Sequence, residues 1–477
     1  MNYLESVAYI DSLSPTLERP SLARMQAFLQ YDESTRNRYP VFHVGGTNGK
    51  GSTVAILDAV LRQCQISVGR FTGPHLLRWN ERFHVDGKAI TDEEFCTLAT
   101  DVRQRSHAFA QAHPDLGALT WFEFLTVMAL RFFTERKVQV AVFEVGLGGR
   151  FDATTVVLNV LCSAVTNIDL DHTHILGETI KEIAFEKGGI FKPGIPALTA
   201  APDETALNEL RQRAHAAGTN FYTAQLPDHL YAIESGGSAK EIDDALWTTT
   251  RQKFNAACRQ LNLRGTHQRA NALVALASIY LAAKNTQWLE ELLRERLLKA
   301  EKGDALPHAF GEVYWPGRMQ MIEELNLVLD GAHNPAGARI LRSALDEQFT
   351  GSTFSFVFSC FANKNAREMV SALVRPGDKV FISEASTRRA TCSKEELAAI
   401  AHEMGAKSFT FSSILLALES ALKDRDAREP VIATGSFATV RETMTFLGWH
   451  SVEDGLPECA KILSEGVASS GVGRSVS

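Results

Sequence analysis

The 477-residue sequence lacks the features that mark exported, disulfide-bonded or membrane-spanning proteins. It has seven cysteines, an odd number, and no CxxC pair, so a disulfide framework or a zinc ribbon is not expected and a reducing compartment is favoured. No stretch reaches the roughly 18 uninterrupted apolar residues of a membrane span. The N-terminus, MNYLESVAYIDSLSP, has an early acid and no basic segment before an apolar run, unlike a signal peptide. We therefore expect a cytoplasmic protein with no membrane partner.

Basic residues are not in excess either. Lysine and arginine total 49 against 56 aspartates and glutamates, for a net charge of −7, whereas nucleic-acid binders usually carry a basic surplus. Hydrophobic residues make up 45% of the chain and charged residues 22%, as in ordinary globular proteins. Single cores stop growing near roughly 250–300 residues, so the length predicts two domains. The net negative charge predicts no nucleic-acid partner.

Short apolar runs alternate with helical periodicity along most of the chain. Residues 41–44 (VFHV) are typical of a buried strand, and they precede a glycine-rich turn and a helix predicted over 52–63. The runs at 138–145 and 160–168 are nearly continuously apolar, as in strands covered on both faces. The alternation predicts an α/β fold with a mostly parallel sheet and right-handed crossovers.

The remainder of the chain suggests a second α/β domain. The region 202–264 looks irregular, with a surface excursion at ESGGSAKE, and a helix is predicted over 268–283. Glycines and prolines at 301–318 are typical of a linker. We place the boundary near residue 305, giving domains 1–305 and 306–462 and a disordered tail at 463–477. Strands of the second domain are predicted at 325–330, 354–361, 378–385 and 430–437.

The segment HVGGTNGKGST (43–53) carries the strongest chemical signal. Glycines between a strand and a helix let the backbone wrap phosphate oxygens, and the helix N-terminus supplies N–H donors. Lys50 would reach terminal phosphates, and the Ser52 hydroxyl would ligate magnesium. The spacing differs from the usual P-loop, because the loop is one residue shorter and Gly51 precedes the hydroxyl. A glycine-rich turn without function is the alternative.

Two metal-capable residues follow neighbouring predicted strands. Glu144 leads from the 138–145 run into the glycine loop VGLGGRFDAT, and His172 follows the next strand in NIDLDHTHILG. Carboxyl ends of strands are where α/β sheets bind ligands, and together the two residues suggest a metal site. A solvated surface acid and a structural histidine are the alternatives.

Seven segments occur in a characteristic order: GTNGKGS, FTGPHLLRWNERF, EVGLGGRFDAT, LDHTHILG, EKGGIFKPG, WPGR and DGAHNP. In this combination the sequence resembles the folylpolyglutamate synthase and dihydrofolate synthase family, within the Mur ligase-like group. The match runs from about residue 41 to 337, with weaker echoes (FANKN, TGSF) up to 437. The resemblance implies a P-loop-type ATP-binding domain and a smaller, Rossmann-like glutamate-ligase domain, with the active site in a cleft that domain closure assembles.

The resemblance also implies a reaction and its cofactors. ATP would phosphorylate a substrate carboxylate, and the amine of L-glutamate would attack the acyl phosphate. Two magnesium ions would be held by Ser52, Glu144 and His172. Lys187, in FEKGGI, matches a lysine that is carbamylated in the family, an unmodified surface lysine being the alternative. Lys50, Lys187 and His333 would be catalytic, and the chain would act as a monomer on ATP, L-glutamate and dihydropteroate or a reduced folate.

The resemblance further assigns binding residues. The ATP contacts would be Gly46, Thr47, Asn48, Gly49, Lys50, Gly51, Ser52, Asn271, Arg318 and Asp330. The substrate contacts would be Thr120, Trp121, Phe122, Glu123, Phe151, Asp152 and Ala153. A buried amide partner is the alternative for Asn271, and core aromatics are the alternative for Trp121 and Phe122.

Two positions depart from the family pattern. Where the family often has a serine whose hydroxyl meets magnesium, this chain has Gly73, so one metal contact is missing. Gly188 replaces a usual alanine. A Mur-type peptidoglycan-precursor ligase and a non-catalytic nucleotide-binding module are the rival functions. No residue decides between dihydrofolate synthesis and polyglutamylation.

Overall fold

The computed structural model describes residues 1–14, 21–234, 236–299, 305–425, 429–454 and 457. The predicted tail at 463–477 and the start of the predicted linker, 301–304, lie outside them. The chain forms two compact units. The first comprises Met1–His75, Trp79–Asn262 and Gln268–Val313, and the second comprises Leu76–Arg78, Leu263–His267 and the chain from Tyr314 onward. The functional domain assignments made from the sequence stay predictions.

Twelve helices are described in the first unit, and the longest, α4, begins with a capping box between Thr91 and Glu94. They are α1 (Tyr3–Ser12), α2 (Ala23–Tyr31), α3 (Lys50–Gln63), α4 (Asp92–Ala112), α5 (Trp121–Glu135), α6 (Thr173–Leu176), α7 (Ile180–Gly188), α8 (Glu204–Ala216), α9 (Ala245–Ala257), α10 (His267–Lys284), α11 (Gln287–Leu292) and α12 (Ala305–Gly311). Throughout the described residues, every helix is too short or too polar to cross a membrane.

The first unit is built on a ten-stranded sheet in the order β10-β9-β8-β7-β6-β1-β5-β2-β3-β4. Its strands are β1 (Val41–Gly45), β2 (Val68–Phe71), β3 (Phe83–Val85), β4 (Lys88–Ala89), β5 (Val140–Glu144), β6 (Val160–Val165), β7 (Ala197–Thr199), β8 (Phe221–Gln225), β9 (His229–Ile233) and β10 (Ala239–Glu241). The six strands from β8 to β2 run parallel, and the two at each edge pair antiparallel.

The central strands of this sheet indicate where a ligand would bind. Every residue of β1 and β5 is buried, as expected for parallel strands covered on both faces. Strand β1 lies between β5 and β6, with Val44 opposite Glu144 and Gly45 opposite Val165. The loops after these three strands therefore leave the same edge of the sheet side by side.

The second unit has a smaller sheet in the order β11-β12-β16-β13-β14-β15, parallel except for β11. Its strands are β11 (Gln320–Ile322), β12 (Leu327–Leu329), β13 (Ser355–Phe358), β14 (Lys379–Ile382), β15 (Lys407–Thr410) and β16 (Val431–Thr434). Its helices are α13 (Pro335–Gln348), α14 (Ala366–Leu373), α15 (Lys394–Glu403), α16 (Ile414–Asp424) and α17 (Phe437–Phe446). Two α/β units with largely parallel sheets confirm the predicted fold class.

The prediction of an irregular region at 202–264 was wrong. It contains α8, α9 and three strands that extend the large sheet. The pattern was hard to recognise because every residue of β10 is exposed and β9 is mostly half-buried, so apolar alternation is weak. The predicted linker also contains a helix, α12, whose Leu306 and Phe310 are fully buried.

Candidate functional site

The glycine-rich loop between β1 and α3 has a backbone that only glycine fits at two points. Gly46 has φ 135°, and a Cβ there would lie 1.9 Å from Thr166 Oγ1. Gly49 has φ 83° and is the N-cap of α3, and its Cβ would lie 2.3 Å from Asn271 Oδ1. Helix α3 begins at Lys50, so its first-turn amides and dipole face the loop, which suits an anion such as a phosphate.

The loop is held by the segment that follows β6. The Thr47 amide donates to the Asn167 carbonyl oxygen, and the Asn48 amide donates to Asn167 Oδ1, both at 2.8 Å. Thr166 Oγ1 donates to the carbonyl oxygen of Asn48 at 2.6 Å. These bonds fix the loop through the protein's own groups, so little conformational entropy remains to be lost on binding.

Two lysines converge on the carbonyl oxygen of Gly46. Lys50 Nζ donates to it and to the Thr47 carbonyl oxygen, each at 3.1 Å. Lys187 Nζ, from α7, donates to the Gly46 oxygen at 2.9 Å. Burial, with a further contribution from Lys50, lowers the pKa of Lys187 to about 7. The amine of Lys187 is therefore substantially neutral near neutral pH.

The candidate metal ligands come from three neighbouring elements. Glu144 ends β5, is 6% exposed, and accepts a bond from the Gly73 amide at 3.2 Å. Ser52 is buried in the first turn of α3. His172 precedes α6 with φ 50°, and its Nε2 is 3.9 Å from an Asp171 carboxylate oxygen.

This donor set has the chemistry of a divalent-cation site. A carboxylate, a hydroxyl and an imidazole suit Mg²⁺ or Mn²⁺, which keep water or phosphate oxygens as their other ligands. Across the described part of the chain, no group of three or more histidine, cysteine, aspartate or glutamate side chains is arranged to hold an ion alone.

Asn271 is brought to the glycine-rich loop by α10. Its side chain abuts Gly49, its Nδ2 donates to Gln268 Oε1 at 2.9 Å, and it is 8% exposed. The amide is thus both buried with a partner, as the alternative interpretation held, and in contact with the loop.

The predicted substrate residues at the start of α5 have local structural roles. Thr120 caps the helix with Glu123, whose Oε2 accepts from the Thr120 amide and hydroxyl at 2.8 Å. Arg24 donates to the same oxygen at 3.0 Å. Trp121 and Phe122 stack on each other at 5.7 Å between ring centroids. Both side chains pack against the core but are only partly buried, so part of each remains accessible.

The second predicted substrate segment lies in the loop after β5. Asp152 accepts from the Leu147 amide at 2.8 Å and from the Thr154 amide at 3.0 Å, and burial raises its pKa. Ala153 is buried, whereas Phe151 is 40% exposed, with the Arg150 guanidinium 4.3 Å from its ring centre. The carboxylate of Asp152 therefore stabilises its own loop by accepting hydrogen bonds from the backbone amides of that loop.

The second unit brings its three predicted site residues together. Asp330 accepts from the Met319 amide at 2.9 Å, and burial raises its pKa against the opposing effect of Arg318. The Arg318 guanidinium lies 4.6 Å from the centre of the Phe437 ring. His333 packs on the same ring at 5.4 Å between centroids.

Comparison with known proteins identifies the family. Residues 119–279 match the Mur ligase middle domain, and residues 317–437 match the glutamate ligase domain of Mur ligases. The chain is 35% identical over 381 residues to the dihydrofolate synthase/folylpolyglutamate synthase of Bacillus subtilis, covering 79% of this chain and 84% of that protein. It is 31% identical to the folylpolyglutamate synthase of Lacticaseibacillus casei, covering 80% and 85%. The chain belongs to the folylpolyglutamate synthase/dihydrofolate synthase family.

Solved structures of this family agree. The Mycobacterium tuberculosis folylpolyglutamate synthase complexed with ADP and AMPPCP superposes with a TM-score of 0.76 at 28% identity, covering 94% of this chain and 98% of that chain. A bifunctional folylpolyglutamate synthase/dihydrofolate synthase with Mn, AMPPNP and L-glutamate bound gives 0.74 at 27% identity, with the same coverage. The family and fold predicted from the sequence are confirmed.

Sequence reasoning missed several residues around the family motifs. Thr166 and Asn167 hold the glycine-rich loop, and Arg82 lies against Gly73. None of these three residues was singled out from the sequence. The motif FTGPHLLRWNERF contains Arg82 and was the available signal. At the other departure, Gly188, a Cβ would lie 2.8 Å from Arg213 Cγ, which accounts for a glycine there.

Proposed function

We propose that this synthase joins L-glutamate to the carboxylate of a folate-type acceptor, dihydropteroate or a reduced folate, with ATP as the second substrate. The observation that carries the proposal is the convergence of Lys50 and Lys187 on the Gly46 carbonyl at the N-terminus of α3. The Lys50 ammonium and the amide donors there suit a transferring phosphoryl group, whose reaction depends on positioning and charge neutralisation.

The reaction would have two steps. The γ-phosphoryl group passes from ATP to an acceptor carboxylate oxygen, giving ADP and an acyl phosphate. The α-amine of glutamate then attacks the acyl carbon, the amide bond forms, inorganic phosphate leaves and the amine loses a proton. Lys50, with the amides of the loop Gly46–Ser52 and the side chain of Asn271, would hold the phosphates.

Divalent cations, two magnesium ions in our proposal, would neutralise phosphate charge when bound. Ser52, Glu144 and His172 would hold them, and their oxygen and imidazole donors fit that role. Carbamylation of Lys187 by carbon dioxide would convert the amine into an anion. Its lowered pKa supports this, because only the neutral amine reacts.

The remaining site residues are assigned by family resemblance together with their placement. Arg318, Asp330 and His333 form one cluster, which we propose contacts nucleotide and glutamate. The two aromatic rings of Trp121 and Phe122 would contact the acceptor, with the loop at 151–153. Action as a monomer and a cytoplasmic location stay predictions.

Phosphate release by the purified protein tests the function. ATP, magnesium and L-glutamate would be supplied with either dihydropteroate or tetrahydrofolate. Release with both acceptors indicates a bifunctional synthase, and release with one names the reaction. Release with neither would contradict the proposal, and UDP-linked muramyl substrates would then test the Mur-type ligase. ATP turnover that depends on neither glutamate nor acceptor would instead indicate a nucleotide-binding module.

A further inference from the structure

Two cysteines of the second unit lie side by side as free thiols. Cys360 follows β13 and is fully buried, and Cys392 precedes α15 and is 7% exposed. Their sulfur atoms are 3.6 Å apart, although 32 positions separate the two residues in the sequence. The Cys392 thiol also lies 3.7 Å from the carbonyl oxygen of Phe361. Neither thiol has a part in the proposed reaction.

The backbone places these two cysteines opposite each other. Phe361 and Thr391 form an antiparallel β-bridge, so Cys360 and Cys392 are the next pair along it. The Cys392 amide donates to the Cys360 carbonyl oxygen at 3.0 Å. Opposed residues joined in this way have Cα atoms about 5.5 Å apart, inside the range of about 4.4–6.8 Å that a disulfide spans. A covalent bond between the two sulfurs therefore requires no rearrangement of the backbone.

The two thiols differ in access and in acidity. Cys392 is the less buried of the two, so a small solute reaches it before Cys360. The hydrogen bond that the Cys360 thiol donates lowers the pKa of Cys392, against the opposing effects of burial and of Glu396. The same bond, together with burial, raises the pKa of Cys360. Because the thiolate is the nucleophilic form, Cys392 is the thiol that reacts first.

We propose that Cys360 and Cys392 form a reversible redox site, at which hydrogen peroxide oxidises Cys392 and Cys360 then closes a disulfide. In the first step the Cys392 thiolate attacks a peroxide oxygen, the O–O bond breaks, hydroxide leaves and Cys392 becomes a sulfenic acid. In the second step the Cys360 sulfur attacks the Cys392 sulfur and loses its proton, and the S–O bond breaks. The two thiols together lose two electrons and two protons, and the peroxide becomes two waters.

The position of the pair defines what this bond would join. Ser359, which precedes Cys360, accepts a hydrogen bond from Thr439 Oγ1 at 3.2 Å through its carbonyl oxygen. A Cβ at Gly435 would lie 2.6 Å from that same oxygen. The disulfide would therefore tie the segment before α15 to the loop after β13, where that loop packs against the start of α17.

Such a bond differs from a structural disulfide framework. Thiol reductants reverse a disulfide by exchange, and disulfides in reducing compartments are usually transient and redox-sensing. The pair is thus compatible with the expectation from the sequence that the cysteines are reduced in the resting protein. The inference concerns the two thiols alone and goes beyond the proposed ligase function.

The test exposes the full-length, pre-reduced protein to hydrogen peroxide and then maps its cysteines. Thiol titration after denaturation should show the loss of two of the seven cysteine thiols, and dithiothreitol should restore both. Mass spectrometry of unreduced peptides should recover one linked pair, which joins Cys360 to Cys392. Cys96 and Cys162 are internal controls that should stay unmodified. Cys96 is more exposed than Cys392, whereas Cys162 is buried, which raises its pKa to about 12.

Two variants separate the roles of the attacking and the resolving thiol. Cys360→Ala should accumulate a sulfenic acid on Cys392, detected as a dimedone adduct, because the thiol that resolves it is gone. Cys392→Ala should leave Cys360 unmodified, since that residue is fully buried. Melting temperatures show whether each variant is folded, and the mapping of the wild type decides the linkage without either variant.

Three outcomes would overturn the proposal. The first is that both thiols survive a peroxide concentration that oxidises Cys96, which would leave the pair as two packed side chains. The second is a disulfide that joins other cysteines, and the third is a dimedone adduct on Cys360 in Cys392→Ala. Since the test contains no ligase assay, its failure leaves the proposed function intact, and failure of the proposed function leaves this test decisive.

Discussion

Lys187 and Lys50 donate to the same oxygen, the carbonyl of Gly46, at 2.9 and 3.1 Å. Two ammonium groups on one acceptor repel each other, and burial adds a desolvation cost for the more enclosed one, Lys187. The repulsion between the two side chains is relieved when Lys187 loses its proton or gains a negatively charged group. The sequence alone does not indicate this relationship, since 137 positions separate the two residues.

The first prediction concerns stability against pH. The pKa of Lys187 is about 7 in the folded chain against an ordinary 10.5, so the folded state binds fewer protons between those values. Stability therefore rises with pH across that window and is lost as pH falls towards 7. From about pH 7 to about pH 9, the unfolding free energy of the wild type should rise relative to Lys187→Met by on the order of 2 kcal/mol.

Urea unfolding of both proteins in carbon dioxide-free buffer measures this difference. Lys181→Met is the control, because Lys181 lies on the same helix, α7, and is exposed. If the difference between wild type and Lys187→Met stays constant with pH, Lys187 has an ordinary pKa.

A second prediction concerns modification of the same amine. With ¹³C-labelled bicarbonate, the wild type should show a carbamate carbonyl signal in ¹³C spectra that Lys187→Arg lacks, because arginine offers no neutral amine. Lys187→Ala should lose ligase activity, and short carboxylates should partly restore it by supplying the missing negative charge. A labelled signal that persists in Lys187→Arg would assign the carbamate to another amine.

The third prediction tests the cation site. Glu144→Ala should lower turnover by more than about a hundredfold, beyond the 10–100-fold typical of residues that only support a ligand. Glu209→Ala is a matched control, since Glu209 is also 6% exposed and lies on α8. Steady-state phosphate release and melting temperature should be measured for both. Comparable turnover in the two variants would remove Glu144 from the site.

How much of this the sequence could predict depends on how local each feature is. The strand, glycine turn and helix around Gly46 and Lys50 are local, and the structure has them as expected, with α3 beginning two residues early. Membership of the family and two α/β units were likewise predictable from ordered motifs and apolar runs. The irregular region at 202–264 was mispredicted because the sheet's edge strands bury few side chains.

Tertiary partners were beyond the sequence. Asp152, Thr120 and Glu123 were predicted to be substrate residues, yet their oxygens and donors take part in loop and helix caps that only the fold reveals. Arg82 likewise looks like any motif arginine until two indoles and Gly73 are seen around it. Roles for Asp152, Thr120 and Glu123 in binding stay predictions.

The last prediction tests whether nucleotide binding depends on the backbone path of the glycine-rich loop. Its control measures the ordinary strain of placing a side chain on a residue with positive φ. Gly46→Ala places a methyl group 1.9 Å from Thr166 Oγ1, at φ 135°, so the loop must move away from the segment that holds it. Gly117→Ala is the control, because Gly117 also has a positive φ, 68°, but a Cβ there meets nothing within 4 Å. The control should cost only about 1–2 kcal/mol of stability from backbone strain.

Binding of AMPPNP, measured by calorimetry with magnesium, should be lost in Gly46→Ala and unchanged in Gly117→Ala. A Thr166→Ser variant refines the test, since it keeps the hydroxyl that donates to Asn48 and removes only a methyl group. It should bind nucleotide normally, because serine keeps the hydroxyl group that donates to the Asn48 carbonyl oxygen. Normal nucleotide binding by Gly46→Ala would mean that the loop does not need this backbone path to hold phosphate.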